Sequence, residues 1–331
     1  MRYRVPPPGA DSLVAWPANF GMRFTIFCDV EEEFDWSRPL DRANRSTRAL
    51  AALPEAHRRF AERGAGLTCM VDHPVAVDPA AVEALGRVAA DPRSAIGAQL
   101  HPWVTPPFDE VVTPANSYAG NLPCALEAAK IDALTEALTA AFGARPLAYR
   151  AGRYGIGADT IALLAERGYR LDTSVRAGYD YRADGGPNFG GIGNAAYRVG
   201  GLVELPFSTV FSGSLRRRGA ALHRIAARLP HGPGVLARTG LLNRVSLTPE
   251  DMPIAEALTA VSVAVEEGQR LLAFSFHSPS LVPGNTPYVR DATDLAAFHR
   301  WWDAMLGRLA QLGVDHASLT EILAAADQPP G

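Results

Sequence analysis

The side chains able to do chemistry in this sequence fall in four short segments. The first, FCDVEEEFDW at 27–36, places four carboxylates after Asp29 and interleaves them with Phe34 and Trp36. On an extended strand end Asp29 and Glu31 point to the same side, because side chains alternate with period two. Two carboxylates on one side suit a metal ligand beside a general base. The competing reading is an exposed acidic loop, weakened because the acids follow an apolar run directly. The second segment, IGAQLHPW at 96–103, sets His101 at the exit of an apolar run, with Pro102 holding it extended and Gln99 on the same side. Such an imidazole serves as a ligand or as a hydrogen-bonding residue of the core or rim. The third, AYRAGRYGIG at 148–157, sends Arg150 into a Gly-rich turn. Its guanidinium can orient a carboxylate bidentately, or form a surface salt bridge. The fourth, LLAFSFHSPSLVPGNTPYVRD at 271–291, ends a strand at His277, which reads as a proton donor or as a buried structural histidine.

Other chemistries are disfavoured by what is missing. No GxSxG occurs, and Ser275, Ser278 and Ser280 have no elbow context. Gly155-Ile-Gly157 lacks the third glycine of a dinucleotide turn, since Thr160 stands there. Lys130 is the only lysine and falls inside a predicted helix, against Schiff-base and P-loop chemistry. Cys28 reads as core packing rather than a nucleophile. Cys28, Cys69 and Cys124 show no CxxC spacing, which fits a reducing compartment without a disulfide framework.

The elements that must position these groups are legible as apolar runs at 24–29, 67–71, 95–101, 147–150, 170–174, 203–207 and 271–277, with an eighth near 316–319. Helical stretches separate several of them; after Asn121, read as an N-cap, Ile131, Leu134, Leu138 and Phe142 recur at helical spacing before Gly143. Alternating βα units imply a parallel sheet covered by helices. Asp29, Asp72, His73, His101, Arg150, Asp172, Ser174 and His277 all stand at or just past the carboxyl ends of these strands, which in a β/α barrel share one mouth. Residues 1–20 read as an arm, 21–325 as one α/β barrel domain and 326–331 as a tail. Segments 176–200 and 211–248 break the rhythm; the first reads as a loop over a site, and the second carries a basic amphipathic helix in SLRRRGAALHRIAARL. That helix reads as a solvated face, with an anionic polymer or membrane surface as the minority reading.

Hydrophobic residues at 47% and a net charge of −3 place the chain among soluble globular proteins and give no basic surplus for nucleic acid. No run of about 20 apolar residues and no signal-like h-region is visible, so a cytoplasmic location without an integral membrane segment is expected.

In order along the chain, DVEEEFDW, GAQLHPWVTPPFDE, YRAGRYG, LDTS and FSFHSPSLVPGNTPYVRD resemble the polysaccharide deacetylase family with the NodB homology fold, and within it the WalW-like group. The resemblance runs from about residue 23 to 325. It implies a distorted barrel of seven or eight parallel strands with outer helices. The implied chemistry is metal-assisted removal of an acetyl group from an amino sugar in a polysaccharide or glycan precursor. By the same resemblance Asp29 matches the general base, Glu31 and His101 metal ligands, Arg150 the residue orienting the base, and His277 the general acid, while Asp172 and Ser174 match a strand-end support. Trp36, Trp103, Tyr154, Tyr179 and Tyr181 are candidates for stacking on sugar faces. The implied cofactor is a divalent metal, Zn²⁺ foremost. The family's H-x-x-x-H is broken here, with Gln99 at the first histidine position and Trp103 at the second. Either Gln99 ligates through its oxygen, or His73 supplies the second nitrogen, or the metal is lost. The alternatives are then a non-catalytic carbohydrate-binding or regulatory barrel, and an amidase for a small linear or cyclic amide.

Overall fold

The computed structural model describes residues 3–328. In chain order its strands are β1 Arg23–Val30, β2 Thr68–Val71, β3 Ala95–Leu100, β4 Ala148–Ala151, β5 Leu171–Asp172, β6 Tyr197–Val199, β7 Leu202–Glu204, β8 Thr209–Ser212, β9 Asn243–Ser246, β10 Leu271–His277 and β11 Asp315–His316. The main sheet runs β10-β1-β2-β3-β4-β5-β7-β6, parallel except that β6 pairs antiparallel with β7. β11 pairs with the first residues of β1, below the point where β2 begins. The central strands are apolar without alternation because both faces are covered; in β1 every residue after Arg23 is buried.

The sheet curls, and the chain running on from β7 bridges its two ends. Leu205 and Phe207 N–H donate to the carbonyls of Asp172 and Val175, and Ser208 N–H then donates to Ala273 of β10 at 3.3 Å. The result is a distorted β/α barrel in which β8 and β9 form a separate antiparallel ribbon. Every strand predicted from the apolar runs is present. β6 and β9 lie inside segments read as irregular; each carries an arginine and is only partly buried, so neither forms the apolar run that marks the other strands.

The helix Cys124–Phe142 buries Ile131, Leu134 and Leu138 and ends at Gly143 with φ +73°. It does not begin at Asn121. Pro123 caps it, and Asn121 sits in a preceding turn, where its amide donates to the carbonyls of Ala115 and Gly185. The basic helix is confined to Gly219–Ala226, with Arg216–Arg218 in the turn before it. The N-terminal segment pairs Leu13 with Tyr197 of the edge strand β6 and Arg4 with Asn188 of the loop before it. The helix Leu319–Asp327 enters the predicted tail, whose residues 329–331 lie outside the described residues. Among the described residues no helix is long and apolar enough to cross a membrane.

Candidate active site

Parallel registry delivers the polar strand ends to one place. Asp29 of β1 stands beside His277 of β10, and Gln99 of β3 beside Arg150 of β4. Asp29, Glu31, Gln99, His101, Arg150 and His277 line a single cavity of about 540 Å³ at the carboxyl end of the barrel. Arg150 is buried with its guanidinium over the Phe27 ring. Its Nη1 donates to Asp29 Oδ1 at 2.5 Å and to Ser275 Oγ at 2.8 Å, which fixes one carboxylate oxygen and leaves Oδ2 facing His277 Nε2 at 3.7 Å.

His277 is gripped from behind. Its Nδ1 lies 2.6 Å from Glu250 Oε2, while Glu250 Oε1 accepts from the His277 backbone N–H and from Ser280 Oγ. Although burial disfavours the imidazolium, the charges of Glu250, Glu31 and Asp29 push His277 up to about 10. Sequence reasoning missed Glu250. It lies in the turn after β9, away from any predicted strand end, and only its acidic type marked it.

His101 has two occupied faces. On one, Nδ1 lies 2.8 Å from Glu32 Oε2, while the other Glu32 oxygen accepts from Trp103 Nε1 at 2.7 Å. Asp72 accepts from the Glu32 and Val75 N–H groups. An Nδ1–H donated to Glu32 leaves the Nε2 lone pair for the other face, the arrangement that readies an imidazole for a metal. There Nε2 meets Gln99 Nε2 at 3.2 Å and Glu31 Oε2 at 3.5 Å. Gly152 makes room for the ring, since a Cβ there would lie 2.3 Å from His101 Cδ2. Glu32 escaped sequence reasoning because period two turns it away from Asp29 and Glu31.

Glu32, Asp72 and His101 offer oxygen and nitrogen atoms within 4.8 Å of one another, a group able to hold a cation. The Nε2 face fits one better. Around Glu32 and Asp72 the oxygens already accept N–H bonds, whereas Glu31 Oε1 and Gln99 Oε1 are buried without hydrogen-bond partners. A half-turn of the Gln99 amide exchanges its O and N and brings Oε1 toward His101. Burial pushes Glu31 up to about 7 and Glu32 to about 8, and drives Asp72 well above the carboxylate range. Such crowded carboxyls are relieved by a cation. His73 does not join this group. It begins the short helix His73–Ala76 outside the cavity lining, and the charges that lower its pKa after burial are Arg45 and Lys130.

The expected aromatic platforms divide. Trp36 is half-exposed at the rim, stacked on Phe34 and edge-on to His277. Tyr154 and Tyr181 line the cavity as a stacked pair, Tyr154 with φ +60° after Arg153 with φ +56°. Trp103 is buried, stacked on His101 at 4.3 Å with its N–H on Glu32, so it holds the imidazole rather than offering a free face. Tyr179 lies beyond the cavity. Ser174 Oγ joins Asp172 to the Ala151 N–H, tying β5 to β4 beneath the site. Asp172 faces Glu204 of β7, a second buried carboxyl that sequence reasoning did not mark.

The curled sheet of mainly parallel strands with surrounding helices is the fold of the NodB-type polysaccharide deacetylases. A candidate polysaccharide deacetylase from Mycobacterium smegmatis aligns with a TM-score of 0.53 over 98% of this chain and 95% of its own, at 17% identity. A candidate glycoside hydrolase/deacetylase from Parabacteroides distasonis gives 0.54 over 90% and 69%, at 13% identity. A GH57 branching enzyme from Thermococcus kodakaraensis gives 0.51 over 93% and 72%, at 11% identity. No protein-family model matches the sequence, and no curated protein matches it. At these identities the likeness establishes the fold.

Proposed function

We propose that this chain is a metal-dependent hydrolase that removes the acetyl group from the nitrogen of an amino sugar in a glycan or glycan precursor. The observation that carries the reading is the pair Asp29 and His277, 3.7 Å apart on one cavity and each anchored by a different buried partner, Arg150 and Glu250. Two titratable groups held in opposite electrostatic settings are what base-then-acid catalysis requires.

Glu31, His101 and Gln99 would hold the metal. When bound, it supplies Lewis acidity toward the acetyl carbonyl and the attacking water. Asp29 Oδ2, free of the Arg150 grip on Oδ1, takes the proton of that water. His277 Nε2 gives its proton to the departing amine while Glu250 keeps the ring oriented through Nδ1. Trp36, Tyr154 and Tyr181 present ring faces and edges at the mouth, where a sugar ring would lie. The cavity suits one or two sugar units.

The test is acetate release from a panel of N-acetylated amino-sugar oligosaccharides after reconstitution with Zn²⁺, Co²⁺ or Mn²⁺. Asp29→Asn and His277→Ala are each expected to lower the rate by about 10²–10⁴. Metal-replete protein that releases no acetate from any of them overturns the reading. One feature favours a second reading: Gln99 replaces an imidazole, and an amide oxygen is a weaker ligand for Zn²⁺. A non-catalytic carbohydrate-binding barrel predicts glycan binding without bound metal, unchanged by Asp29→Asn.

A further inference from the structure

A second cavity, of about 600 Å³, opens between the two inserted segments. One aromatic ring separates it from the first. Tyr179 is sandwiched between Arg176 of the catalytic cavity at 3.9 Å and Arg244 of the second at 3.7 Å. Arg4, Arg224, Arg228 and Arg244 line this second space together with His223. The carboxylate in its lining, Asp180, is already held by Arg182 through Nε at 2.9 Å and Nη2 at 2.7 Å. Among the described residues no carboxylate lies within 4.0 Å of the other four guanidiniums. Arg224 donates to the carbonyl of Gly190, and Arg244, besides lying over Tyr179, donates to the carbonyl of Gly178, so neither is paired with a negative charge.

The sequence withholds the counter-charge. Between Glu204 and Glu250 it has seven arginines and no acidic residue, in a chain whose net charge is −3. Converging guanidiniums repel one another, and their forked donors match phosphoryl oxygens. A single carboxylate would leave most of the charge unbalanced, whereas a diphosphate offsets it. Burial and the Arg244 charge lower His223 to about 4, which keeps its ring neutral and able to accept or donate.

We propose that this cavity binds the diphosphate group of a phosphorylated ligand, with Arg4, Arg224, Arg228 and Arg244 taking its oxygens. The site does not depend on the reaction proposed above, because its readout is binding rather than acetate release. The same chemistry is offered by a nucleoside diphosphate and by the headgroup of a diphosphate-bearing lipid.

The experiment titrates the full-length protein with inorganic pyrophosphate at physiological ionic strength, followed by calorimetry and thermal denaturation. Saturable one-to-one binding and a raised Tm are expected. Arg224 and Arg228 are exposed, so Arg224→Ala and Arg228→Ala leave the fold intact, and each is expected to weaken binding about tenfold or more. Arg217→Ala, on the same basic segment but outside the cavity, keeps the original affinity. Uridine diphosphate binding more tightly than pyrophosphate identifies a nucleotide as the source. Retention on vesicles containing a polyprenyl diphosphate, without that preference, identifies a lipid headgroup; both outcomes support the site. No saturable binding of any of the three probes overturns it, as does an equal loss in Arg217→Ala and Arg228→Ala.

Discussion

Asp29 and His277 sit at neighbouring positions of two parallel strands, yet what separates their behaviour lies behind them. Arg150 fixes one oxygen of Asp29 and leaves the other facing the cavity, while Glu250 stabilises the imidazolium of His277. Removing the negative charge in Glu250→Gln lowers the pKa of His277. The alkaline limb of kcat/KM, where the acid loses its proton, is then expected to move to lower pH. A pH–rate profile reads this directly, and an unmoved limb would remove His277 from the role of acid. Glu250 was not legible in the sequence because a partner that comes from a turn carries no periodic mark. Asp29, His101, Arg150 and His277 were legible because strand ends announce themselves through the apolar runs that precede them. Alternation correctly paired Glu31 with Asp29, and the same alternation explains why Glu32, on the other side, holds His101 from behind.

At the scale of elements, the strands that carry chemistry were found, while β6 and the separate β8–β9 ribbon were not, because β6 and β9 carry an arginine and lack the apolar run that marks the others. Two elements make separable predictions. Lys130, read in the sequence only as an argument against lysine chemistry, is a buried post of the helix Cys124–Phe142. Its Nζ donates to the carbonyls of Pro102, Thr105 and Pro107 and meets Glu110 at 3.0 Å, which holds down the loop after His101. Lys130→Met strands those acceptors and the Glu110 charge, and is expected to cost about 3 kcal/mol of stability in urea denaturation. His316 of β11 lies edge-on to Phe24, its Nε2 accepting from Gly66 N–H at 3.3 Å, and burial lowers its pKa to about 4. The unfolded chain binds that proton near pH 6.5. The folded pKa is the lower one, so stability present above about pH 6.5 is lost as the pH falls toward 4, by up to about 3 kcal/mol. His316→Gln is expected to flatten that part of the stability–pH curve, and an unchanged slope would assign the proton elsewhere.

Over the whole molecule, the chain segregates its charge. Carboxyls concentrate at the mouth of the barrel, while the 211–248 insertion carries arginines and no acidic residue. Buried carboxyls crowd around His101 at one mouth, so a metal bound at the proposed site would couple to global stability. The proposed donors Glu31 and His101 directly follow β1 and β3, so a cation held between them would tie strands distant in sequence. At free metal about 100-fold above its Kd the linkage is worth about 2.7 kcal/mol, which for a chain of this size raises Tm by several degrees. A chelator is expected to remove that increment from the native protein and to leave the Tm of His101→Ala unchanged. Gln99→His supplies a second imidazole beside His101, and is expected to tighten Zn²⁺ binding about tenfold or more and to enlarge the chelator-sensitive increment. Equal chelator sensitivity of the native protein and His101→Ala would move the metal away from this site. Loss of the increment in Glu32→Gln but not in Glu31→Gln would instead place it on the Nδ1 face, among Glu32, Asp72 and His101.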